Sequence, residues 1–581
     1  MKFTYLEELG ISTELKVFER SSQSYTALLY QHEGNLCANE HAIRNSTNVA
    51  SQLNAFLSTT REQNPDIAFT PEYSCPWTVV RSIINDENLW PANKKLWAFG
   101  CESITKDQLR NFADEHTSEN IWIYYDLQVL TKNNNFVDPL VYFFKGRHMD
   151  KEKLIVLVQF KTKHMGAWGG TNVERDNLIE GEEIYVLRNS CQSIHFFSLI
   201  CSEAINFQGA MNEDNVAKLD WIDKPYLIFN PQMNPKPTHS EFSDFKKYIL
   251  SEDRKELIVL NWANTSKLEG KDLLTDRSTR SGFWIKSHEI NCEESRIKTN
   301  HRLGMYYFHL QQQKHAFVLN SLAHAYLIDN LPVHIKGVQP VQSRRDGPRI
   351  RKTFSLNIAK SALIERVDGI SDQHLPYLIE VGCTSGFLNN TETCILQKEK
   401  IVSLTSGNIP KKHMGASWHK ISNLYAFKSE EQTEVNHRIT FTEDNYPTSR
   451  NQRERYLNAI RELDCTVFVS PHLFPESIRD LKGRGLKIGY AQNASQNDYR
   501  YNVVDENGNE IIATICFMGI APSDMIEKAF NAIQDIFDRD NMNRRRVVIF
   551  FRKGNEILCK HDPQAGRISE TNTYDNESIL K

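Results

Sequence analysis

The 581-residue sequence has 11 cysteines and not one CxxC pair, so neither a zinc-ribbon spacing nor a thioredoxin-like redox motif is on offer. The cysteines are scattered and odd in number. No disulfide framework is indicated, and a reducing, cytoplasmic setting is expected. Long apolar runs are missing too. A run such as Leu154–Val158 falls far short of the roughly 20 residues a membrane helix needs, so no membrane partner is expected. The opening residues Met1 to Glu8 contain no apolar core of the signal-peptide kind, and a secretory leader is not expected. Positive charge is not in excess, with 69 Lys+Arg against 73 Asp+Glu. That balance disfavours a generic nucleic-acid binder. Two local basic clusters, Arg344, Arg345, Arg349, Arg351 and Lys352, and Arg544, Arg545, Arg546, Arg552 and Lys553, read as a solvated loop and a strand flank.

What is present is ordinary globular composition, with 40% hydrophobic and 24% charged residues, which argues for folded domains rather than a disordered chain. At roughly 100–200 residues per domain, two to four domains are expected. Strand-length apolar runs recur at Ile121–Tyr125, Leu154–Phe160, Ile194–Ile200, Tyr226–Phe229 and Leu257–Leu260. Between some of them lie amphipathic stretches of helix length. Asn45–Phe56 opens with the capping sequence Asn-Ser-Thr, and Ser240–Leu250 places Phe242, Phe245 and Leu250 on one face. Alternating strands and helices predict an α/β protein. A polar stretch rich in Pro, Gly and Arg at 336–352 reads as a connection. It divides a first domain at 20–335 from a second α/β domain at 353–560. In the second, Cys465–Val469, Leu486–Tyr490 and Val547–Phe551 read as strands, Ser523–Asp538 as a helix and Glu506–Asn509 as a hairpin turn. A polar tail follows Asp562. The sequence Lys163–Ala167 recurs as Lys412–Ala416, but the flanking residues do not align, and a true repeat shows similarity across its whole period.

Three strand ends carry reactive side chains. Cys201 follows the apolar run Ile194–Ile200, Glu72 follows Ile67–Phe69 through Thr70-Pro71, and a pair of lysines, Lys161 and Lys163, follows Leu154–Phe160. Taken singly, a strand-end Cys is most often a small buried hydrophobe, and a strand-end Glu or Lys is most often solvated. Together, the order Pro-Glu, Lys-x-Met, Ile-Cys-x-Glu resembles the nitrilase superfamily of carbon–nitrogen hydrolases over residues 20 to 335. Glu174, Glu180-Gly181-Glu182-Glu183, Tyr226–Pro231 and Leu257–Asn264 add agreements in the same order. The 91 residues between Glu72 and Lys163 point to an insertion around 100–150.

The resemblance implies a four-layer α-β-β-α sandwich and a Glu–Lys–Cys triad. Cys201 would be the nucleophile, Glu72 the base and Lys163 the stabiliser of negative charge, with Glu174 as a supporting carboxylate and no cofactor or metal. Lys161 and Lys163 are two apart and share a face if the strand continues. Lys163 is preferred for its Lys-His-Met context. The resemblance also implies a small-molecule amide or nitrile as substrate, amides being the commoner, and a homodimer or larger assembly. A reading of another class is a binding, signalling or effector module on the same fold. It would have weak or no catalysis and a protein partner for the C-terminal region, as in bacterial antiviral systems that the arrangement resembles. No Tyr-x-Asp-Asp reverse-transcriptase motif is present.

Overall fold

The computed structural model describes residues 1–46, 49–166, 172–274, 279–286, 299–300, 303–310, 314–333, 347–366, 401, 404–407, 420–421, 455, 457–491, 501–536 and 546–562. The chain divides into two compact units. One comprises Met1–Gly369 with Asn423–Lys428, the other Ile370–Ser422 with Ser429–Lys581.

In chain order the first unit supplies β1 (Lys2–Tyr5), β2 (Tyr25–Tyr30), α1 (Ala50–Gln63), β3 (Ile67–Phe69), α2 (Trp77–Asn85) and β4 (Leu96–Gly100). Next come α3 (Lys106–His116), β5 (Ile121–Tyr125), β6 (Pro139–His148), β7 (Lys151–Phe160) and α4 (Val173–Asn177). After these follow β8 (Glu183–Arg188), β9 (His195–Ser198), α5 (Glu203–Ala210), α6 (Glu213–Leu219), β10 (Tyr226–Pro231), α7 (Ser240–Ile249) and β11 (Lys255–Leu260). The last are β12 (Gly282–Lys286), β13 (Met305–Leu310), β14 (Lys314–Leu319), β15 (His324–Asn330), β16 (Arg349–Asn357) and β17 (Ala362–Glu365). One sheet runs β17-β16-β15-β2-β3-β4-β6-β7-β5, and a second contains β1-β8-β9-β10-β11-β12-β14-β13.

The period-2 alternation of side chains stacks the layers. On the first sheet Phe69 points to the second sheet, where its ring stacks on Phe229 at 4.0 Å and meets Phe196 at 5.9 Å. Val156, Val158 and Phe160 point the other way, into a buried cluster with Leu53 and Phe56 of α1, Val79 and Ile83 of α2, and Leu109 and Phe112 of α3. On the second sheet the neighbour of Phe196, Phe197, points outward to Phe207 of α5, which in turn meets Phe245 of α7. The order helices, sheet, sheet, helices is the expected α-β-β-α sandwich. Its inner layer is aromatic, and each fully buried ring contributes on the order of 1.5–3 kcal/mol.

The structure departs from the sequence expectations at several boundaries. The first unit is not confined to 20–335. Lys2–Tyr5 pairs parallel with Glu183–Val186 at a sheet edge, and Arg349–Asn357 pairs antiparallel with β15. In β16 only Ile350, Thr353 and Phe354 are buried, while Arg351 and Lys352 turn outward to Asp329 and Glu365. A strand with so little apolar surface reads as a loop in sequence. Residues 334–346, including Arg344 and Arg345, lie outside the described residues, as do Lys412–Ala416. Helix α1 begins at Ala50 with Val49 at its N-cap position, whereas Asn45 ends a strand, Ala42–Asn45, and binds Glu102 and the Tyr73 carbonyl. The 91-residue spacing from Glu72 to Lys163 is occupied by α2, β4, α3, β5, β6 and β7.

The second unit is also α/β. Strand β18 (Thr514–Phe517) pairs parallel with β19 (Val547–Lys553), which pairs antiparallel with β20 (Glu556–His561). Helix α8 (Ser523–Ile536) packs Ile526, Phe530 and Ile533 against Val547 and Ile549. Cys465–Val469, expected as a strand, falls largely in a helical turn, Leu463–Val467. Arg546 and Arg552 are paired with Asp480 and Glu462, as befits a strand flank. Among the described residues no helix is long and apolar enough to cross a membrane.

Candidate active site

Strands β3, β7, β9, β10 and β11 send their following residues to one edge of the sandwich, and a buried polar cluster forms there. Glu72 leaves β3 through Thr70-Pro71. Its main chain passes so close to β4 that a Cβ on Gly100 would stand 2.2 Å from the Pro71 carbonyl oxygen and 2.6 Å from Glu72 Cα. Glycine at 100 is therefore a requirement of the approach, independent of its torsion angles. The Glu72 main-chain carbonyl accepts from Trp262 Nε1 at 2.7 Å, beyond the end of β11. Its carboxylate accepts from Lys161 Nζ at 2.7 Å and from the Met233 N–H at 2.7 Å.

The lysine in the cluster is Lys161, not Lys163. Odd-numbered residues of β7 face the second sheet, as Gln159 shows by donating to the Ser198 carbonyl at 3.0 Å. Lys161 keeps that phase because its N–H still pairs with Asp138 O at 2.9 Å and its own carbonyl accepts from Gly181 N–H at 2.8 Å. Gly181 also permits this contact, since a Cβ there would lie 2.6 Å from the Phe160 carbonyl oxygen. Beyond Lys161 the chain bends and the alternation ends. The Lys163 side chain is 44% exposed, with Nζ 3.7 Å from Glu180. The expectation of two lysines on one face therefore fails at the bend.

Around Lys161 Nζ stand three buried carboxyl groups: Glu72 at 2.7 Å, Glu174 at 2.8 Å and Asp138 at 3.5 Å. Glu174, on α4, also accepts from Tyr73 Oη at 2.9 Å and from the Met165 N–H at 2.7 Å. Burial alone would pull the Lys161 ammonium down, but the charges of Glu174 and Glu72 outweigh it and hold its pKa well above the ordinary range. One carboxylate oxygen from each of Glu72, Asp138 and Glu174 lies within 4.8 Å of the others, a spacing that could surround a cation. The Lys161 ammonium supplies that charge.

Cys201 follows β9 on a left-handed turn, φ 43°, uncommon for a non-glycine residue and frequent where structure holds a functional side chain. Its N–H is tied to the Pro231 carbonyl at 2.8 Å. The residue is 1% exposed. Burial and the charge of Glu72 push the thiol well above its ordinary range, against the opposing pull of Lys161 and the Met233 N–H. Cys201 is thus a protonated thiol in the field of the Glu72–Lys161 pair. Glu203, two residues on, ties the loops together. Its oxygens accept from Thr162 N–H and Ile200 N–H, both at 2.5 Å, and burial raises its pKa to about 7. One carboxylate thereby fixes the segment carrying Lys161 to the segment carrying Cys201.

Of the residues singled out in sequence, Glu72, Glu174 and Cys201 come together and Lys163 does not. Lys161 was legible as an alternative. Asp138 was not: it reaches the site because Pro139 pairs with Phe160 across the β6–β7 hairpin, and no sequence spacing announces that register. Glu203 stands in the Cys-x-Glu pattern, but its tie to Thr162 depends on tertiary contact. Among the described residues the exposed cysteines are Cys191 and Cys465; Cys37 and Cys559 are half-buried, and Cys292 lies outside the described residues.

The first unit is therefore an α-β-β-α sandwich that presents a buried cysteine on a strained turn beside a lysine held by carboxyl groups. No family model matches the sequence, and no curated protein does. Among solved structures, the chain is similar to a mutant of the amidase from Nesterenkonia sp. AN1. That protein carries the acetamide moiety of fluoroacetamide covalently added at its active-site cysteine. Identity is 7%, the TM-score is 0.22, and the match covers 42% of this chain and 78% of that one.

Proposed function

We propose that the first unit is a nitrilase-type carbon–nitrogen hydrolase acting on a small amide, with Cys201 as nucleophile, Glu72 as base and Lys161 as the charge stabiliser. The observation that carries this reading is the buried Lys161 ammonium shared between Glu72 and Glu174 at 2.7 and 2.8 Å, in whose field the Cys201 thiol sits. A thiol held protonated needs a base at the moment of attack. Glu72 takes the proton as Sγ bonds to the amide carbon. The oxygen gains negative charge, which Lys161 and the Ser202 N–H stabilise. A well-placed donor of this kind contributes on the order of 3 kcal/mol. Glu72 then gives the proton to the departing nitrogen, the C–N bond breaks, and a thioester remains. Water loses a proton to Glu72 and attacks the thioester. The C–S bond breaks, the acid leaves and the thiol recovers its proton. Glu174 keeps Lys161 in place through all of these steps.

The test is a screen of aliphatic and aromatic primary amides for ammonia release, run beside Cys201→Ala, with intact-mass detection of an acyl adduct. Release with the parent, loss with the variant and an adduct on Cys201 are expected. Equal release from both proteins would sink the assignment. The near-complete burial of Cys201 favours a second reading, a binding or signalling module that does not turn over. An absence of both adduct and release across the panel would select it.

A further inference from the structure

Three carboxyl groups and one ammonium share a volume closed to water. With every carboxyl ionised, the cluster would hold an excess of two buried negative charges, which a low-dielectric interior does not tolerate without a proton. The hydrogen bonds say where that proton sits. Both Glu72 oxygens accept, from Lys161 and from the Met233 N–H. Both Glu174 oxygens accept, from Lys161 and Tyr73 and from the Met165 N–H. Neither Asp138 oxygen has a donor within hydrogen-bonding geometry, and both are buried. Its nearest cation contact is the 3.5 Å approach of Lys161 Nζ. Its carboxyl stands beside that of Glu72, close enough to share a hydrogen bond once one of them carries a proton.

We propose that Asp138 is a positioning residue for the reaction described above: it carries the cluster's proton in the resting protein, donates it as a hydrogen bond to Glu72, and so keeps Glu72 ionised and free to accept the thiol proton. The inference rests on the hydrolase reading and deepens it. The groups facing Asp138 are Glu72 and Tyr73 after β3, Cys101 after β4, Lys161 after β7 and Glu174 on α4. Burial and the charges of Glu72 and Glu174 push the Asp138 carboxyl well above the carboxylate range, and Lys161 opposes them. Without a donor at 138 the carboxyl and its proton leave together, so the cluster keeps the same single excess negative charge, and what Glu72 loses is the hydrogen bond that favours its charged form.

The experiment follows site-resolved alkylation of Cys201 by iodoacetamide in the full chain, by mass spectrometry, across about pH 6 to pH 10. Exposed Cys191 and Cys465 serve as internal references. Asp138→Leu removes the donor and should slow Cys201 labelling at neutral pH by about tenfold, the scale of one lost hydrogen bond to a charged group. Asp138→Asn keeps a neutral donor and should restore most of the rate. Its rate relative to the parent should rise with pH, because the parent's carboxyl can lose its proton whereas the substituted amide does not ionise. Thermal melting by circular dichroism checks both folds. If Asp138→Leu does not fold, the Asp138→Asn to parent ratio carries the test. Asp138→Asn as slow as Asp138→Leu, or a ratio flat with pH, overturns the proposal. A parent in which Cys191 and Cys465 label and Cys201 never does overturns the hydrolase reading itself, and this inference with it.

Discussion

Lys161 and Lys255 of the first unit are both completely buried, at opposite edges of the same sandwich. Lys161 follows the end of β7, among Glu72, Glu174 and Asp138. Lys255 is the first residue of β11, at the edge where β9, β10 and β11 all begin. Its Nζ donates to the carbonyls of Lys224 at 2.9 Å and Asp253 at 3.3 Å, and lies over Trp221 at 4.7 Å and Tyr226 at 5.4 Å. The pKa of Lys161 is driven up; that of Lys255 is driven down by burial, and then by Arg254, to about 8. Neither lysine reaches solvent, so the difference in direction comes from the partners. Carboxylates repay the desolvation of an ammonium, whereas carbonyl dipoles and ring faces do so only in part. One edge of the molecule is therefore built to hold charge and the other merely tolerates it.

The sharpest way to break this comparison is Lys161→Met. It leaves the carboxyl groups without their cation, and breaking a buried pair from one side typically costs about 3–5 kcal/mol. Urea unfolding should show a midpoint shift of that order, together with loss of any amide turnover. A variant within about 1 kcal/mol of the parent would mean that the carboxyl groups are neutral without the lysine.

Lys255→Met tests the other edge through pH. The folded pKa of Lys255 lies below its unfolded value, so between about 8 and the ordinary 10.5 the unfolded chain binds more protons than the folded one. The folded state is then favoured as pH rises through that window. Relative to Lys255→Met, the parent should gain roughly 3 kcal/mol across it, with the penalty fully present below pH 8. Paired thermal melts over this range measure the effect, since all other lysines are common to both proteins. Curves that stay parallel would show that Lys255 is not penalised by its burial.

The same contrast explains what could be read in the sequence. Glu72 and Cys201 were legible at the ends of short apolar runs, where α/β sheets gather chemistry, whereas Glu174 was singled out only through the family resemblance. The layer order was expected only from the resemblance, and it is the packing of Phe69 on Phe229 and of Phe197 on Phe207 that displays it. Where the chain leaves β7 was not legible. It is set by Lys161 N–H pairing with Asp138 and by Glu203 catching Thr162 N–H, contacts 23 and 41 residues apart in sequence that periodicity does not carry. Strand β16 was missed for a related reason: Arg349, Arg351 and Lys352 resemble a basic loop until Ile350 and Phe354 are seen packing inward. The apolar run at Cys465–Val469 shows the reverse error, a helical turn read as a strand, because short runs do not separate the two periods.

The smallest expected effect is the most informative about that bend. Lys163 shares its residue type, its sequence neighbourhood and its nominal face with Lys161, yet its side chain is 44% exposed and its ion pair with Glu180 is 3.7 Å long. An exposed pair of that kind is worth at most about 1 kcal/mol. What Lys163 contributes locally runs through its main chain, whose carbonyl accepts from Ser202 Oγ at 2.6 Å, and that bond survives truncation of the side chain. Lys163→Ala should therefore leave unfolding midpoints within a few tenths of a kcal/mol and leave amide turnover at the parent's rate, while Lys161→Met loses both. Measured side by side, the two variants separate a charge held inside the cluster from one that points away from it. Should Lys163→Ala prove the inactive variant and Lys161→Met turn over normally, the chain must continue its alternation past Phe160 in solution, and the site would have to be rebuilt around the outer lysine.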